Sequence, residues 1–554
     1  MTSVRLSAPR PGPAHATRPT PTVGRVAVAV VLAAVAVPVL AVVVRTLWPD
    51  GVLDLEAFGR IATSARTWRL VAVTVAQAVG SSLLTLAIGV PTAWVLATYR
   101  FPGRRLLRTI ATVPFVLPSV VVGAAFASLL GPRGLVDARG TWWPILAAHL
   151  AFNLAVVLRT VGAAIGSVDP DLVASARLLG AGPFGAARRV VLPAIAPAVA
   201  AAAVIVFLFC LTTFGVVVIL GGGSVSTLEV EIWTRSTRQF DLSGAGVLCL
   251  LQLVAVVATL AVHARVVRHG TGTGAARRSA LRRPRSPAAW AAVASATLAV
   301  LVVSVTPIAA LAERSLRSTG GWSTTHWRNL GSVTAGTGLR VAPVEAVVVS
   351  VSTSLVATVV AVALALPAVR VAAGRPGGGA DRVLLLPLGV SSTTIGLGLL
   401  LAFGRPPLDL RRSWWVVPAA QALVALPLVV RALLPAVRAL PPSLREAAAL
   451  QGATPGQQFR RVELPMVRRA LAAGAGLALV ACLGEFGATV FLARTGSPTV
   501  PVAIERLMSR PGGAGFGQAM ALSCVLVLVC VVVVVDVDRL VAGRDDASGA
   551  GVIL

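Results

Sequence analysis

Leu444-Arg445-Glu446-Ala447-Ala448-Ala449-Leu450-Gln451-Gly452-Ala453, followed by Arg460-Arg461-Val462-Glu463-Leu464-Pro465, has a counterpart earlier in the chain. Leu172-Val173-Ala174-Ser175-Ala176-Arg177-Leu178-Leu179-Gly180-Ala181 precedes Arg188-Arg189-Val190-Val191-Leu192-Pro193, and every matched position lies 272 residues from its twin. Other pairs keep the spacing: Arg159 with Arg431, and Phe214-Gly215 with Phe486-Gly487. Pro114 with Pro387 and Gly131 with Gly404 follow at 273. The chain is a duplication, and a polar, arginine-bearing loop is the best kept part of it.

The setting of that loop is apolar. Of 554 residues, 56% are hydrophobic and 13% charged, where a soluble chain carries about 25% charge. Runs of the length needed to cross about 30 Å of hydrocarbon recur throughout. They are continuous rather than alternating, which argues against a β-barrel. An all-α polytopic membrane protein is expected, with twelve spans near 26–44, 70–98, 109–130, 144–162, 194–220, 243–263, 288–311, 346–368, 383–403, 413–434, 470–493 and 517–535. The run 26–44 exceeds a signal-peptide core and no small-residue cleavage site follows it, so it reads as a retained span. Residues 1–25, rich in Pro, Thr and Arg, read as a disordered tail. The first six-helix domain then covers 26–263, a basic linker 264–287, the second domain 288–535 and a C-terminal tail 536–554.

Arginine placement orients the chain. Segment 99–108 holds Arg100, Arg104, Arg105 and Arg108 and no acid, and the linker holds seven arginines and no acid. Segment 435–469 carries six arginines against two glutamates. All three fall on one side of the twelve-span arrangement, with both termini and both copies of the loop, and that side reads as cytoplasmic. The opposite segment 221–242 is more balanced, with Glu229, Glu231 and Asp241 against Arg235 and Arg238. Each half holds an even number of spans, so the two insert in the same sense as parallel repeats.

The net charge of +28 would suggest nucleic acid in a soluble protein, but here the arginines flank apolar runs and no nucleic-acid partner is expected. The chain contains no lysine, so it cannot hold a Gly-x-x-x-x-Gly-Lys-[Ser/Thr] phosphate loop. Any ATP must be bound by another subunit. Cys210, Cys249, Cys482, Cys524 and Cys530 all lie in apolar runs without metal or redox spacing. No metal, cofactor or catalytic constellation is expected.

The loop has its own local logic. Asp169-Pro170 and Pro441-Pro442 place proline at a helix start, where its missing N–H costs nothing. Gly180 and Gly452 sit where a helix ends with positive φ. Pro183 and Pro455 open a second short helix, with Thr454 as an N-cap. Leu192-Pro193 and Leu464-Pro465 lead into the next span.

Glu-Ala-Ala, three residues, Gly, then an aliphatic residue, one more and Leu-Pro resembles the EAA loop of binding-protein-dependent ABC importer permeases. The second copy is intact in Glu446, Ala447, Ala448, Gly452, Val462, Leu464 and Pro465. The first departs from it: Ala174 replaces the glutamate and Ser175 the first alanine, while Ala176, Gly180, Val190, Leu192 and Pro193 match. The resemblance implies a type I ABC importer permease fold and a multi-pass protein of the bacterial plasma (inner) membrane. It implies two copies of a separate ATPase subunit, which hold the ATP and Mg, docked on the two loops. It implies an extracytoplasmic binding protein that delivers a small solute, and no covalent chemistry in this chain. Arg188/Arg189 and Arg460/Arg461 could join the dock, which should be unequal because Ala174 stands opposite Glu446. The alternative reading, an ATP-independent secondary transporter, would call for buried ionisable relays.

The fused six-plus-six arrangement resembles permeases for thiamine and for ferric iron. Gly221-Gly222-Gly223, Thr227-Leu228-Glu229, Leu250-Leu251-Gln252 and Leu483-Gly484-Glu485-Phe486-Gly487 look like the thiamine type, and the Lys-Glu-Leu-Pro element of the ferric type is absent. Thiamine is therefore the expected solute, ahead of ferric iron, oxyanions and polyamines. Glu485 is the one acid placed inside a span, facing a cavity or an internal partner, and its twin is Thr213. Asn153, Gln421, Gln77 and Gln252 are polar residues in spans, either substrate ligands or helix–helix hydrogen bonds. His149 reads as structural, near a membrane edge.

Overall fold

The structure is a computed structural model. It describes residues 22–49, 51–132, 134–270, 281–318, 320–375, 377–404, 413–510 and 514–541. Most of the expected N-terminal and C-terminal tails and the Gly-Thr run of the linker lie outside these residues.

Apolar side chains all round give helices buried in lipid or in one another, because only a helix or a closed barrel satisfies every backbone group there. Among the described residues, ten helices are long and apolar enough to span a membrane, from Thr22–Leu47 to Gly515–Val537. The spans expected at 109–130 and 383–403 are not continuous. Arg104–Val116 turns through 106° into Ser119–Leu130, and Gly379–Gly389 through 94° into Ser392–Ala402. Pro118 explains the first break: it lacks an N–H and forces Leu117 into extended backbone. At the second, Ser391 caps the new helix by accepting from Thr394 N at 3.2 Å. The expected spans 194–220 and 470–493 are also interrupted, since their helices stop at Leu211 and Gly484. A two-residue strand pair, Arg317–Ser318 with Gly321–Trp322, is a minor addition.

The halves interlock. Thr22–Leu47 packs against Pro343–Ala373 and Ser392–Ala402 of the other half. Pro287–Ser315 in turn lies against Ala65–Thr98 and Ser119–Leu130 of the first half. Lipid offers no hydrophobic drive between helices, so close approach of small residues holds them. A Cβ on Gly398 would sit 2.3 Å from the Pro38 carbonyl oxygen, and one on Gly24 2.8 Å from that of Pro367. Between the halves runs one shared core that includes Val120, Val121, Phe214, Leu397, Phe486 and Ile504.

The segment expected as a balanced outer loop, 221–242, is instead packed into the protein. Its helix Leu228–Thr237 buries Glu229 and Glu231. Glu231 pairs with Arg235 at 3.0 Å and with Arg66 at 3.2 Å. Glu229 accepts from Gln252 Nε2 at 3.1 Å and from Thr393 Oγ1 of the other half. Burial pushes the Glu229 carboxyl up to about 8, against the lowering effect of hydrogen bonds from Ser391 and Gln252. A carboxyl raised from 4.5 to about 8 binds its proton more tightly folded than unfolded, so its contribution is full below 4.5 and is lost as pH rises through about 8. The detergent-solubilised protein is therefore expected to melt at a lower temperature near about pH 9 than near about pH 5, and Glu229→Gln to flatten the difference. A pH profile of melting that is identical in the variant would refute the assignment.

Candidate functional site

The two loops have the same backbone. Pro170–Leu178 and Pro442–Leu450 are two-turn helices. Each closes in a Schellman turn: Ala181 N donates to Ala176 O and Gly180 N to Arg177 O, both at 3.0 Å. Ala453 N donates to Ala448 O at 3.0 Å and Gly452 N to Ala449 O at 2.9 Å. Gly180 and Gly452 take φ of +84° and +80°, which side-chain-bearing residues avoid. Thr454 forms a capping box with Gln457, whose Oε1 accepts from Thr454 N at 2.9 Å. Both copies then pass through a π-helical turn, Ala187–Val191 and Phe459–Glu463, before Leu192–Leu211 and Leu464–Gly484 begin.

Ala174, Ser175, Glu446 and Ala447 are exposed, and Ala176 and Ala448 half-buried against the protein. Leu192, Pro193 and Pro465 are exposed and Leu464 half-buried where the next helices start. The loops also carry bare apolar side chains that the motif did not point to. Leu178 and Leu450, a twin pair, are each 90% exposed. Leu179 and Phe184 add two more exposed apolar groups on the first copy, where the second has Gln451 and Gly456.

One ion-pair cluster belongs to the second copy alone. Glu463 is buried, with Oε2 3.0 Å from Arg370 Nε and Oε1 3.0 Å from Arg445 Nε. The Arg370 guanidinium also lies 4.8 Å from the centre of the Phe459 ring. Arg445 sits on the loop helix and Arg370 near the end of Pro343–Ala373, so Glu463 ties the loop to a long helix. The twin positions are Val191, Val173, Ala97 and Ala187, which are uncharged. Removing one member of a buried pair strands its partners and costs about 3 kcal/mol. Glu463→Gln is expected to speed amide hydrogen exchange across 442–450 and leave 170–178 unchanged. Equal protection of both loops in the variant would show that the pair does not hold the loop.

Farther along, the helix breaks line a cavity. Where Leu192–Leu211 stops, Gln77 Nε2 donates to Cys210 O at 2.7 Å and Gln252 Nε2 to Leu211 O at 3.0 Å. Where Leu464–Gly484 stops, Gln421 Nε2 donates to Cys482 O at 3.0 Å. Gln77 and Gln252 supply donors to carbonyls of a last helical turn, and Gln421 adds a second donor to Cys482 O, which also accepts from Glu485 N at 3.2 Å. Glu485 lies just past the helix end. Its Oε1 accepts from Ala488 N at 2.8 Å and its Oε2 from Thr489 N at 2.9 Å, the start of the next short helix. Twin glycines let the broken chain cross the bent pairs: a Cβ on Gly215 would lie 2.5 Å from Ser119 Oγ, and one on Gly487 2.1 Å from Ser392 Oγ.

The cavity measures about 430 Å³ and lies between the halves. Glu485, Thr213 and Asn153 line it, whereas Gln421 does not. His149, expected near a membrane edge, also lines it. Its ring is held by Ser81 Oγ on Nδ1 at 2.8 Å and by Thr213 Oγ1 on Nε2 at 3.1 Å. Asn153 Nδ2 donates to His149 O at 2.9 Å, but its buried Oδ1 has no partner among the described residues. Phe115, Phe152 and Phe209 cluster on the first-half wall, with centroids 5.4 and 6.2 Å from Phe115. Their twins are Leu388, Val424 and Ala481, so the wall is aromatic on one side only. No arginine lines the cavity.

Twin residues from the two halves also meet in its lining. Phe214 and Phe486 stack on each other with centroids 4.9 Å apart and planes 18° apart. Phe214 also meets the Trp233 ring edge-on at 5.9 Å. Trp233 lines a second cleft of about 760 Å³ with Arg238, Glu505 and Arg510. The stack therefore stands between cavity and cleft. Trp233 itself carries the Arg238 guanidinium, 4.6 Å from its ring centre.

Residues 86–317 and 357–541 match the binding-protein-dependent transport system inner membrane component family. The "Probable ABC transporter permease protein y4fN" of Sinorhizobium fredii is 26% identical over 86% of this chain and 88% of its own. The thiamine transport system permease protein ThiP of Brucella abortus is 33% identical over 35% of this chain and 38% of its own. The sulfate transport system permease protein CysT of Salmonella typhimurium is 32% identical over 33% of this chain and 70% of its own. With the family matched twice, over 86–317 and again over 357–541, this chain belongs to the binding-protein-dependent transport system inner membrane components and is the permease of an ABC importer.

Proposed function

We propose that this permease imports a small, flat, cationic solute of the thiamine kind, handed over by an extracytoplasmic binding protein. The cavity wall carries the proposal. Three phenylalanines offer π faces to an aromatic or cationic ring. Asn153, whose Oδ1 has no partner among the described residues, lines the same cavity. Glu485 has lone pairs beyond the two that its backbone donors use. A volume of about 430 Å³ falls in the range of small-molecule sites. A sulfate-like dianion would meet a carboxylate and no cation there. Ferric iron would find one carboxylate and no tyrosine among the lining residues.

The two repeated loops are the coupling elements in this reading, on the cytoplasmic side where the arginine-rich segments lie. Two copies of an ATPase subunit seat Leu178 and Leu450 in their grooves, with Glu446 on a basic group of one. ATP and Mg stay on those subunits. The Phe214–Phe486 stack is the outer gate, opened when ATPase closure moves the loops and the helices they start.

The test is uptake into proteoliposomes holding the permease, its ATPase and its binding protein. ATP-dependent accumulation of labelled thiamine, reduced in Glu485→Gln, is the expected result. Accumulation of sulfate but not thiamine would overturn the choice of solute. ATP hydrolysis by the pure permease would overturn the assignment of ATP to a partner.

A further inference from the structure

A cluster of arginines on the loop side of the first half is used by none of the above. Helix Ala65–Thr98 ends there in Tyr99, and the chain turns back at Arg104. The end of the linker is strapped across this corner: Arg100 N donates to Arg282 O at 2.8 Å and Arg282 N to Thr98 O at 2.9 Å. The strap brings Arg282 and Arg283 beside Arg100, with Arg104 and Arg105 on the adjoining hollow and Arg108 and Arg285 farther along the same two segments. Segments 99–108 and 281–290 contain no acid, and among the described residues no carboxylate pairs with any of the seven. Arg104 is fixed by its Nε on Leu96 O at 2.8 Å.

Two adjoining hollows open at the corner. One of about 820 Å³ is lined by Arg100, Phe101, Arg104, Arg105, Leu106 and Leu281. The other, about 480 Å³, is lined by Arg100, Phe101, Pro102, Arg283, Pro284 and Trp290. Both thus combine guanidinium groups with exposed apolar surface, including Leu106 and Trp290. Trp at such a level marks the membrane interface. The twin corner in the second half is different: Asp381 stands 273 positions from Arg108 and pairs with Arg438 at 2.7 Å. One corner carries an acid paired within the protein, and the other has no acid in either of its segments and stands beside an apolar floor.

We propose that the 99–108/281–290 corner binds the phosphate headgroup of an anionic phospholipid, with its acyl chains along Leu106 and Trp290. Guanidinium forks match phosphate oxygens. Basic pockets beside membrane helices bind anionic headgroups, and the cations that line these hollows, Arg100, Arg104, Arg105 and Arg283, repel one another until an anion joins them. The lipid would fasten the linker strap to the first half, and so join the two halves on the loop side.

Native mass spectrometry of the purified chain, titrated with phosphatidylglycerol and with phosphatidylcholine, tests this. The wild type is expected to hold one phosphatidylglycerol in preference to phosphatidylcholine. Arg100→Gln with Arg105→Gln and Arg283→Gln should weaken that adduct about 100-fold, near fivefold per arginine. The same three positions changed to Lys should retain most of it, and Arg375→Gln with Arg382→Gln, at the twin corner, should change nothing. Equal retention by the triple Gln variant, or no preference over phosphatidylcholine in the wild type, would overturn the proposal. Displacement by inorganic phosphate alone would also overturn it, by showing a free-anion site. If the Gln variant fails to fold, the wild type decides: its preference must fall as salt rises, and a salt-independent preference counts against the site.

Discussion

Leu178→Asp together with Leu450→Asp is expected to strip the ATPase subunits from the permease during purification. Both leucines stand 90% exposed at the ends of short, rigid helices. Side chains that bare at the tip of a stiff element are what a groove on a partner takes up, and truncating such an anchor costs about 2 kcal/mol or more, roughly 30-fold in affinity. Aspartate costs more, because it brings an unpaired charge into the groove. The single variants should separate. Leu178→Asp leaves the strongly exposed Leu179 and Phe184 on the first loop, whereas Leu450→Asp leaves the less exposed Leu444 beside Glu446 and Gln451 on the second. The second loop should therefore lose more. Glu446→Ala and Gly452→Ala should each weaken the complex more than a change at Ala174, the glycine because its φ of +80° excludes a side chain without strain. Copurification and affinity of the ATPase, measured for each single variant, check the order. An ATPase retained by the double aspartate variant would remove the loops from the interface.

The second large effect is expected at the aromatic septum. Phe214→Ala with Phe486→Ala should let solute cross proteoliposomes without ATP. Truncating a buried Phe costs about 3–5 kcal/mol and leaves a void, here between the cavity and the cleft lined by Trp233. The stacked pair adds about 1 kcal/mol beyond its buried area. Phe214 touches both Phe486 and Trp233, so Phe214→Ala alone should leak more than Phe486→Ala alone. Leucine at both positions keeps bulk at the septum and should stay tight. Flux of labelled solute down its gradient, without nucleotide, is the measurement. A double alanine variant as tight as the wild type would place the barrier elsewhere.

The effects divide along the asymmetry of the duplication. The backbone of each loop repeats to within 0.1 Å in its Schellman hydrogen bonds, yet the side chains have diverged. The first loop is the more apolar at its surface, and the second is tied to the membrane helices through Glu463. The cavity diverged likewise, with Phe115, Phe152 and Phe209 facing Val424 and Ala481. A homodimeric ancestor would impose equality at each pair, and fusion into one chain removes that constraint.

Sequence alone determined the class, the duplication and the loops. Uninterrupted apolar runs leave the backbone no option but helix in lipid, and the turns at Gly180 and Gly452 depend on contacts within a few residues. Periodicity and capping report such local interactions directly. The tertiary structure decided the rest. It split the spans at 109–130 and 383–403, because an apolar run reads the same whether it crosses lipid straight or bends inside protein. It turned Gln77, Gln252 and Gln421 into donors to distant carbonyls, with partners 133, 41 and 61 residues away. It set the Glu463 cluster, the Glu229 contact between halves and the Phe214–Phe486 stack, whose members lie far apart in sequence. Each rests on packing between helices, and the energy that fixes it is absent from any window of the chain short enough to read as a pattern.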